Sequence, residues 1–109
     1  MANSFKLITS TSVGTSPATV YTCPSATQTT VIGLSLANIL GTSLTASVQI
    51  ENNDGDNIYL IKDAPVPGGS TLAVVGGEMK VVLNVSDVLK VTSSDASSVD
   101  VALSILEIT

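Results

Sequence analysis

Histidine, arginine and tryptophan are absent from this sequence, cysteine occurs once, at Cys23, and the aromatic residues are only Phe5, Tyr21 and Tyr59. Each absence removes a class of function. Without histidine there is no ordinary base to activate a serine or cysteine nucleophile, so a hydrolytic triad has no starting point. One cysteine closes no intramolecular disulfide and supplies no cysteine-rich zinc site. Scarce aromatics leave few stacking platforms for a sugar ring, which weakens both a glycoside hydrolase and a carbohydrate-binding reading.

Positive charge is equally thin. Lys6, Lys62, Lys80 and Lys90 are scattered among nine acidic residues, giving a net charge of −5 and an isoelectric point near 4.1. Phosphate backbones are bound by clustered cations, so nucleic acid is excluded as the expected partner. A membrane is excluded as well. The longest apolar stretch, from Val31 to Leu40, is interrupted by Gly33, Ser35 and Asn38 and falls far short of the ~20 residues that cross a bilayer. The segment Met1 to Ser12 carries too short an apolar group for a signal peptide.

What is present in quantity is small and β-branched. Serine and threonine number 28, and valine, isoleucine and threonine together 35, the composition of strands rather than helices. Period-two alternation recurs between turn residues, and no helical stripe interrupts it. The expected strands begin with Phe5 to Thr9 and with Ala18 to Cys23, the latter bracketed by Pro17 and Pro24 and therefore suited to a sheet edge. Thr29 to Asn38 places Ile32, Leu34 and Leu36 on an expected core side, with Val31, Gly33, Ser35 and Ala37 outside. Leu44 to Glu51 buries Leu44, Ala46, Val48 and Ile50, exposes Thr45, Ser47 and Gln49, and is expected to form a hairpin with the strand before it.

Asn52 to Asn57 carries strong turn chemistry and leads into Ile58 to Lys62. Asp63 to Ser70, with Pro65, Pro67 and Gly68-Gly69, reads as a connection to Thr71 to Val75, and Gly76-Gly77 as a turn. Met79 to Val85, Val88 to Thr92 and a final run from Val99 complete the series. In that last run Val99, Val101, Leu103 and Ile105 share one phase, whereas Leu106 and Ile108 take the other, which suggests a bulge or an edge strand that exchanges faces. The whole predicts one all-β domain over 1–109, with 1–17 as an N-terminal strand or arm. It is a single antiparallel β-sandwich of about eight or nine strands, jelly-roll-like or Ig-like in its Greek key.

No catalytic or cofactor-binding residue is expected, and the protein reads as a non-enzyme. Asn53-Asp54-Gly55-Asp56-Asn57 is the one constellation with ligand potential; it reads as a solvated hairpin turn, with Asp54 and Asp56 as weak calcium candidates that do not match an EF-hand loop. Cys23 reads as a small buried side chain, and Tyr21 and Tyr59 as partly buried strand residues. The faces rich in Thr, Ser, Val and Ala, such as Val31, Ser35 and Ala37, are flat enough to lie against another protein.

Over roughly residues 18 to 109 the chain resembles small virion-associated structural proteins of tailed bacteriophages, common in phages of marine bacteria and cyanobacteria. The resemblance rests on Tyr21-Thr22-Cys23-Pro24, Val31 to Asn38, the corner from Tyr59 to Ser70, and the ending Val99 to Thr109. Cys23-Pro24-Ser25-Ala26 departs from the Pro-Ala-Gly that follows a small aliphatic residue in those proteins. The resemblance implies a capsid decoration or cement protein, made in the bacterial host cytoplasm and placed on the capsid surface of the virion. It would act there as a homo-oligomer against the major capsid protein or other virion proteins. A tail, neck or fibre-associated protein, or a receptor- or glycan-binding module, is the alternative. The expected interface residues are Ala2, Asn3, Ser4, Phe5 and Lys6, with Asn53, Asp54, Asp56 and Asn57.

Overall fold

In a computed structural model that describes residues 2–76 and 79–109, the chain forms nine strands in two antiparallel sheets and no helix. The strands are β1 (Asn3–Val13), β2 (Ala18–Thr22), β3 (Gln28–Asn38), β4 (Leu44–Glu51), β5 (Asn57–Val66), β6 (Thr71–Val75), β7 (Val81–Leu83), β8 (Val88–Ser93) and β9 (Val99–Ile108). One sheet runs β1-β9-β3-β6 with β7 also on β3; the other runs β2-β8-β4-β5. The expected turn at Gly76-Gly77 lies partly outside the described residues.

The pairing has a simple logic. β1 pairs with β9, β2 with β8, β3 with β7 and β6, and β4 with β5, so the first half of the chain lies antiparallel to the second. The ribbon turns at Asn52 to Asp56 and rolls up, adding the β3–β9 and β4–β8 ladders. That is a jelly roll, and it settles the topology against the Ig-like alternative.

Leu34 and Leu36 from one sheet and Val48, Leu89 and Val91 from the other, together with Leu83, Leu103 and Ile105, are almost completely excluded from solvent. Burying each leucine stabilises the fold by roughly 2–3 kcal/mol before entropy is counted. Tyr21 is the sole aromatic among the buried apolar residues.

Four sequence expectations are corrected. β3 and β4 are not a hairpin; they lie in different sheets, because an apolar stripe specifies which face is buried and not which strand is the hydrogen-bonded neighbour. In β3 the register slips between Val31 and Gly33 opposite Ile105 and Ser104. Ile32 is the extra residue of a bulge, so Val31 is buried while Ile32 is only half-buried. In β9 there is no change of phase: Val99, Val101, Leu103, Ile105 and Glu107 are all buried in strict alternation, with Leu106 and Ile108 on the outside. β5 extends through Asp63 and Pro65 to Val66, and β7 is only three residues long.

The extended β5 is possible because it is an edge strand, where Pro65 need not donate to a ladder. Its kink at Asp63, with φ of 50°, leaves a backbone N–H that donates to the Ser47 hydroxyl at 2.9 Å. Ser47, expected on an exposed face, is accordingly buried.

Candidate interaction face

The solvent side of the β1-β9-β3 sheet is built by rungs of residues directly opposite one another, which point to the same side. Phe5 stands beside Leu106, Leu106 beside Thr30, and Thr30 beside Val82. Leu7 stands beside Ser104 and Gly33, and Thr9 beside Ala102, Ser35 and Ala73. Asn3, Ile108 and Gln28 close one end, while Asp100, Ala37 and Thr71 close the other. Phe5, Leu7 and Val82 are exposed to 77%, 65% and 61%.

Asp100 is the one charged residue in these rungs, and its carboxylate accepts the Ser12 N–H at 3.0 Å. Four strands abreast at ~4.8 Å and a ten-residue strand at ~3.3 Å per residue give a face on the order of 600 Å². One side of a standard protein interface covers roughly 800 Å². A nearly uncharged, apolar-to-small surface of that extent is the candidate interaction face of the molecule.

The strand ends that carry this face are held from behind. On β1, Lys6 points inward between Phe5 and Leu7; on β9, Glu107 points inward between Leu106 and Ile108. Lys6 Nζ lies 2.7 Å from Glu107 Oε1. From the opposite sheet Tyr21 Oη donates to Glu107 Oε2 at 2.5 Å and lies 2.9 Å from Thr29 Oγ1; with its one proton committed to Glu107, the phenol is the acceptor of the bond with Thr29. The hydrogen bond from Lys6, then that from Tyr21, holds the Glu107 carboxyl below its ordinary value of 4.5. Burial first, and then the Glu107 hydrogen bond, pushes the Tyr21 hydroxyl up to about 12. Cys23 sits beside this network, buried, with Sγ 3.4 Å from Thr29 Oγ1.

The two groups of residues expected at an interface behave differently. Asn3 to Lys6 are part of β1 rather than a free arm, and Ala2 exchanges two backbone hydrogen bonds with Thr109 at 3.0 and 2.9 Å. Phe5 and Asn3 lie on the outer face, whereas Ser4 and Lys6 lie on the inner side. Asn53, Asp54, Asp56 and Asn57 belong to the β4–β5 hairpin, all of them exposed. The topology brings both groups to the same end of the sandwich, since Gln28, paired with Ile108 of the terminal rung, also shares a cleft with Asn53 and Asp54.

The hairpin is organised by Asn52, whose Oδ1 accepts the N–H groups of Asp54 and Asp56 at 3.0 and 2.9 Å. Among the described residues no group of three or more His, Cys, Asp or Glu side chains is gathered to hold a metal, at Asp54 and Asp56 or elsewhere. Tyr59, expected to be partly buried, is exposed, with Lys62 Nζ 5.3 Å from its ring centre.

Sequence reasoning missed Leu106, Ile108 and Leu7 as outer-face residues. Their signal was the alternation with Lys6 and Glu107, two charged residues in apolar strands at opposite ends of the chain.

No protein-family model and no curated protein matches the chain. Among solved structures it is similar to a subunit of Bacillus endospore appendages, described as a novel family of disulfide-linked pili. The identity is 12%, with a TM-score of 0.58 over 99% of this chain and 87% of the other. At that identity the likeness is one of fold.

Proposed function

We propose that the chain is a non-enzymatic structural protein of a tailed-phage particle, a capsid decoration protein that lays the outer face of its β1-β9-β3 sheet against the major capsid protein. The observation that carries this reading is the outer-face row of Phe5, Leu106, Thr30 and Val82, continued by Leu7 and Ile108, in which Phe5, Leu7 and Val82 are exposed and Leu106, Thr30 and Ile108 half-buried. Apolar side chains left on the outside of a sheet that has a filled core of its own are best accounted for by a partner. The sequence resemblance to virion-associated proteins supplies the kind of partner. Small residues across the rest of the face, such as Ala102, Ser35 and Ala73, let two flat surfaces approach closely, and many copies on a symmetric shell multiply a modest individual interface.

A homopolymer of this chain is the second reading, favoured by the likeness in fold to a pilus subunit. Disulfide linkage of the kind named for that pilus has no counterpart here, because the single cysteine is buried. One experiment separates the readings. Purified particles are expected to contain on the order of hundreds of copies, as shell symmetry requires, and Phe5→Asp is expected to abolish binding to emptied shells while the isolated domain stays folded. A handful of copies places the protein in the tail or neck; filaments of the pure protein that Phe5→Asp disperses, with no shell binding, establish the homopolymer.

A further inference from the structure

At the end of the sandwich where the termini meet the β4–β5 hairpin, a cleft of about 410 Å³ opens between two turns. One wall is the hairpin, with Asn52, Asn53 and Asp54; the other is the β7–β8 turn, with Asn84 and Val85; Gln28 at the start of β3 reaches between them. The two turns come from different halves of the chain, and one residue ties them together. Asp87, only 7% exposed, accepts the Asn53 N–H on Oδ1 at 3.0 Å and the Asn84 N–H on Oδ2 at 2.8 Å. Its turn is fixed from behind as well, through Cys23 N–H to Asp87 O at 2.9 Å and Ser86 N–H to Cys23 O at 3.0 Å. The cleft is therefore set before any ligand arrives, which lowers the cost of binding.

Its chemistry is specific. Among the described residues, the side-chain amides of Gln28, Asn53 and Asn84 have no partner within the chain, whereas Asn52 spends its amide oxygen on its own turn. Each free amide offers two donors and an acceptor, and the Asp54 carboxylate adds further acceptors. No lysine lines the cleft, and Asp54 and Asp87 give it negative potential, so phosphorylated, sulfated or carboxylated ligands are repelled. A second cleft of about 350 Å³ adjoins the first, sharing Gln28 and Val85, and is lined by Ala26 and Ile108. A ligand spanning both meets hydroxyl-matching groups on one side and an aliphatic wall on the other.

We propose that these adjoining clefts bind a neutral saccharide, its hydroxyls on the amides of Gln28, Asn53 and Asn84 and its apolar C–H face on Val85. No aromatic ring stacks on the sugar, so each site binds weakly, in the millimolar range. On a surface carrying many copies that is sufficient, because linked weak sites gain factors of ~10²–10⁴ in avidity. The site lies at one end of the sheet and shares Gln28 and Ile108 with the terminal rung of the outer face, so it rests on that rung staying open to solvent when the rest of the face is covered.

The test is a titration of the ¹⁵N-labelled full chain with maltotriose, chitotriose and sialyllactose, observing the side-chain amide resonances. Saturable shifts at Gln28, Asn53 and Asn84 with at least one neutral trisaccharide, and none with sialyllactose, are expected. Asn53→Ala and Asn84→Ala remove an amide while keeping the backbone N–H groups that Asp87 accepts, so they fold, and each is expected to weaken binding at least tenfold. No saturable shift with either neutral sugar at tens of millimolar overturns the proposal. So does equal binding of sialyllactose, or undiminished binding by both variants.

Discussion

Tyr21 Oη donates to Glu107 Oε2 across the interior, joining β2 of one sheet to β9 of the other at 2.5 Å. Glu107 is thereby a buried carboxylate with partners from both sheets, since Lys6 of β1 neutralises its other oxygen at 2.7 Å. Lys6 is half-exposed, so the ion pair itself contributes only about 1 kcal/mol or less. The larger consequence is geometric: Lys6 and Glu107 sit between the very residues, Phe5 and Leu7, Leu106 and Ile108, that form the outer face.

Acid and alkali are expected to destabilise the protein through this pair in separate windows. Glu107 has a folded-state value lowered from 4.5; its contribution is complete above 4.5 and is lost as pH falls through the lower folded value. Tyr21 is raised from 10.0 to about 12; its contribution is complete below 10.0 and is lost as pH rises toward 12. Urea unfolding of Glu107→Gln across the acid range checks the first, and the expected result is a flatter stability profile below pH 4.5 than that of the parent chain. Phenolate absorbance in a Tyr59→Phe background checks the second, with Tyr21 expected to ionise only near pH 12. An unchanged acid profile in Glu107→Gln, or ionisation of Tyr21 near 10, contradicts the arrangement.

The bulge in β3 makes neighbouring residues unequally sensitive to truncation. Val31 is 1% exposed and packs in the core, while Ile32 is the extra residue and only half-buried. Val31→Ala is expected to cost roughly 2 kcal/mol, as a cavity in a packed interior does, and Ile32→Ala less than about 1 kcal/mol. Equilibrium denaturation of the two variants decides it. The reverse order places Ile32 inside, as plain alternation along Thr29 to Asn38 suggests.

That reversal shows what the sequence carries and what it does not. Strand number, the edge position of β2 between Pro17 and Pro24, the inward set Leu44, Ala46, Val48 and Ile50, and the hairpin at Asn52 to Asp56 are all written in alternation and turn chemistry. Strand partners are not, because β3 and β4 each bury an apolar stripe whether they pair side by side or face one another across the core. Bulges escape for a related reason: nothing in Val31-Ile32-Gly33 announces the extra residue, which is fixed by the register of β9 opposite. The outer face was misread in part because Leu106 and Ile108 look like core. Only Glu107, buried on a strand whose apolar neighbours are outside, shows that the hydrophobic side is turned to solvent at that end.

The opposite end of the sandwich is closed by Asn38, and its loss is expected to be costly although it touches no part of the outer apolar row. Asn38 is 3% exposed; its Nδ2 donates to Thr42 O at 2.8 Å and to Val66 O at 3.0 Å, and its Oδ1 accepts the Leu40 N–H at 2.9 Å. One side chain thus holds the β3–β4 corner to the end of β5. Gly68 makes the same junction sterically tight, because a Cβ there would lie 2.6 Å from the carbonyl carbon of Gly41. Asn38→Ala strands a buried donor and acceptor set and is expected to cost about 2–3 kcal/mol. Gly68→Ala forces the two loops apart and is expected to destabilise too, by about 1–3 kcal/mol as overpacking does, whereas Gly41→Ala, with open space around its Cβ, is expected to leave stability within about 1 kcal/mol. Thermal unfolding of the three variants checks the order Asn38→Ala and Gly68→Ala below Gly41→Ala. Because this junction lies at the far end from Phe5, Lys6 and Glu107, the two destabilised variants are expected to keep shell binding wherever they remain folded, which separates a loss of fold from a loss of contact.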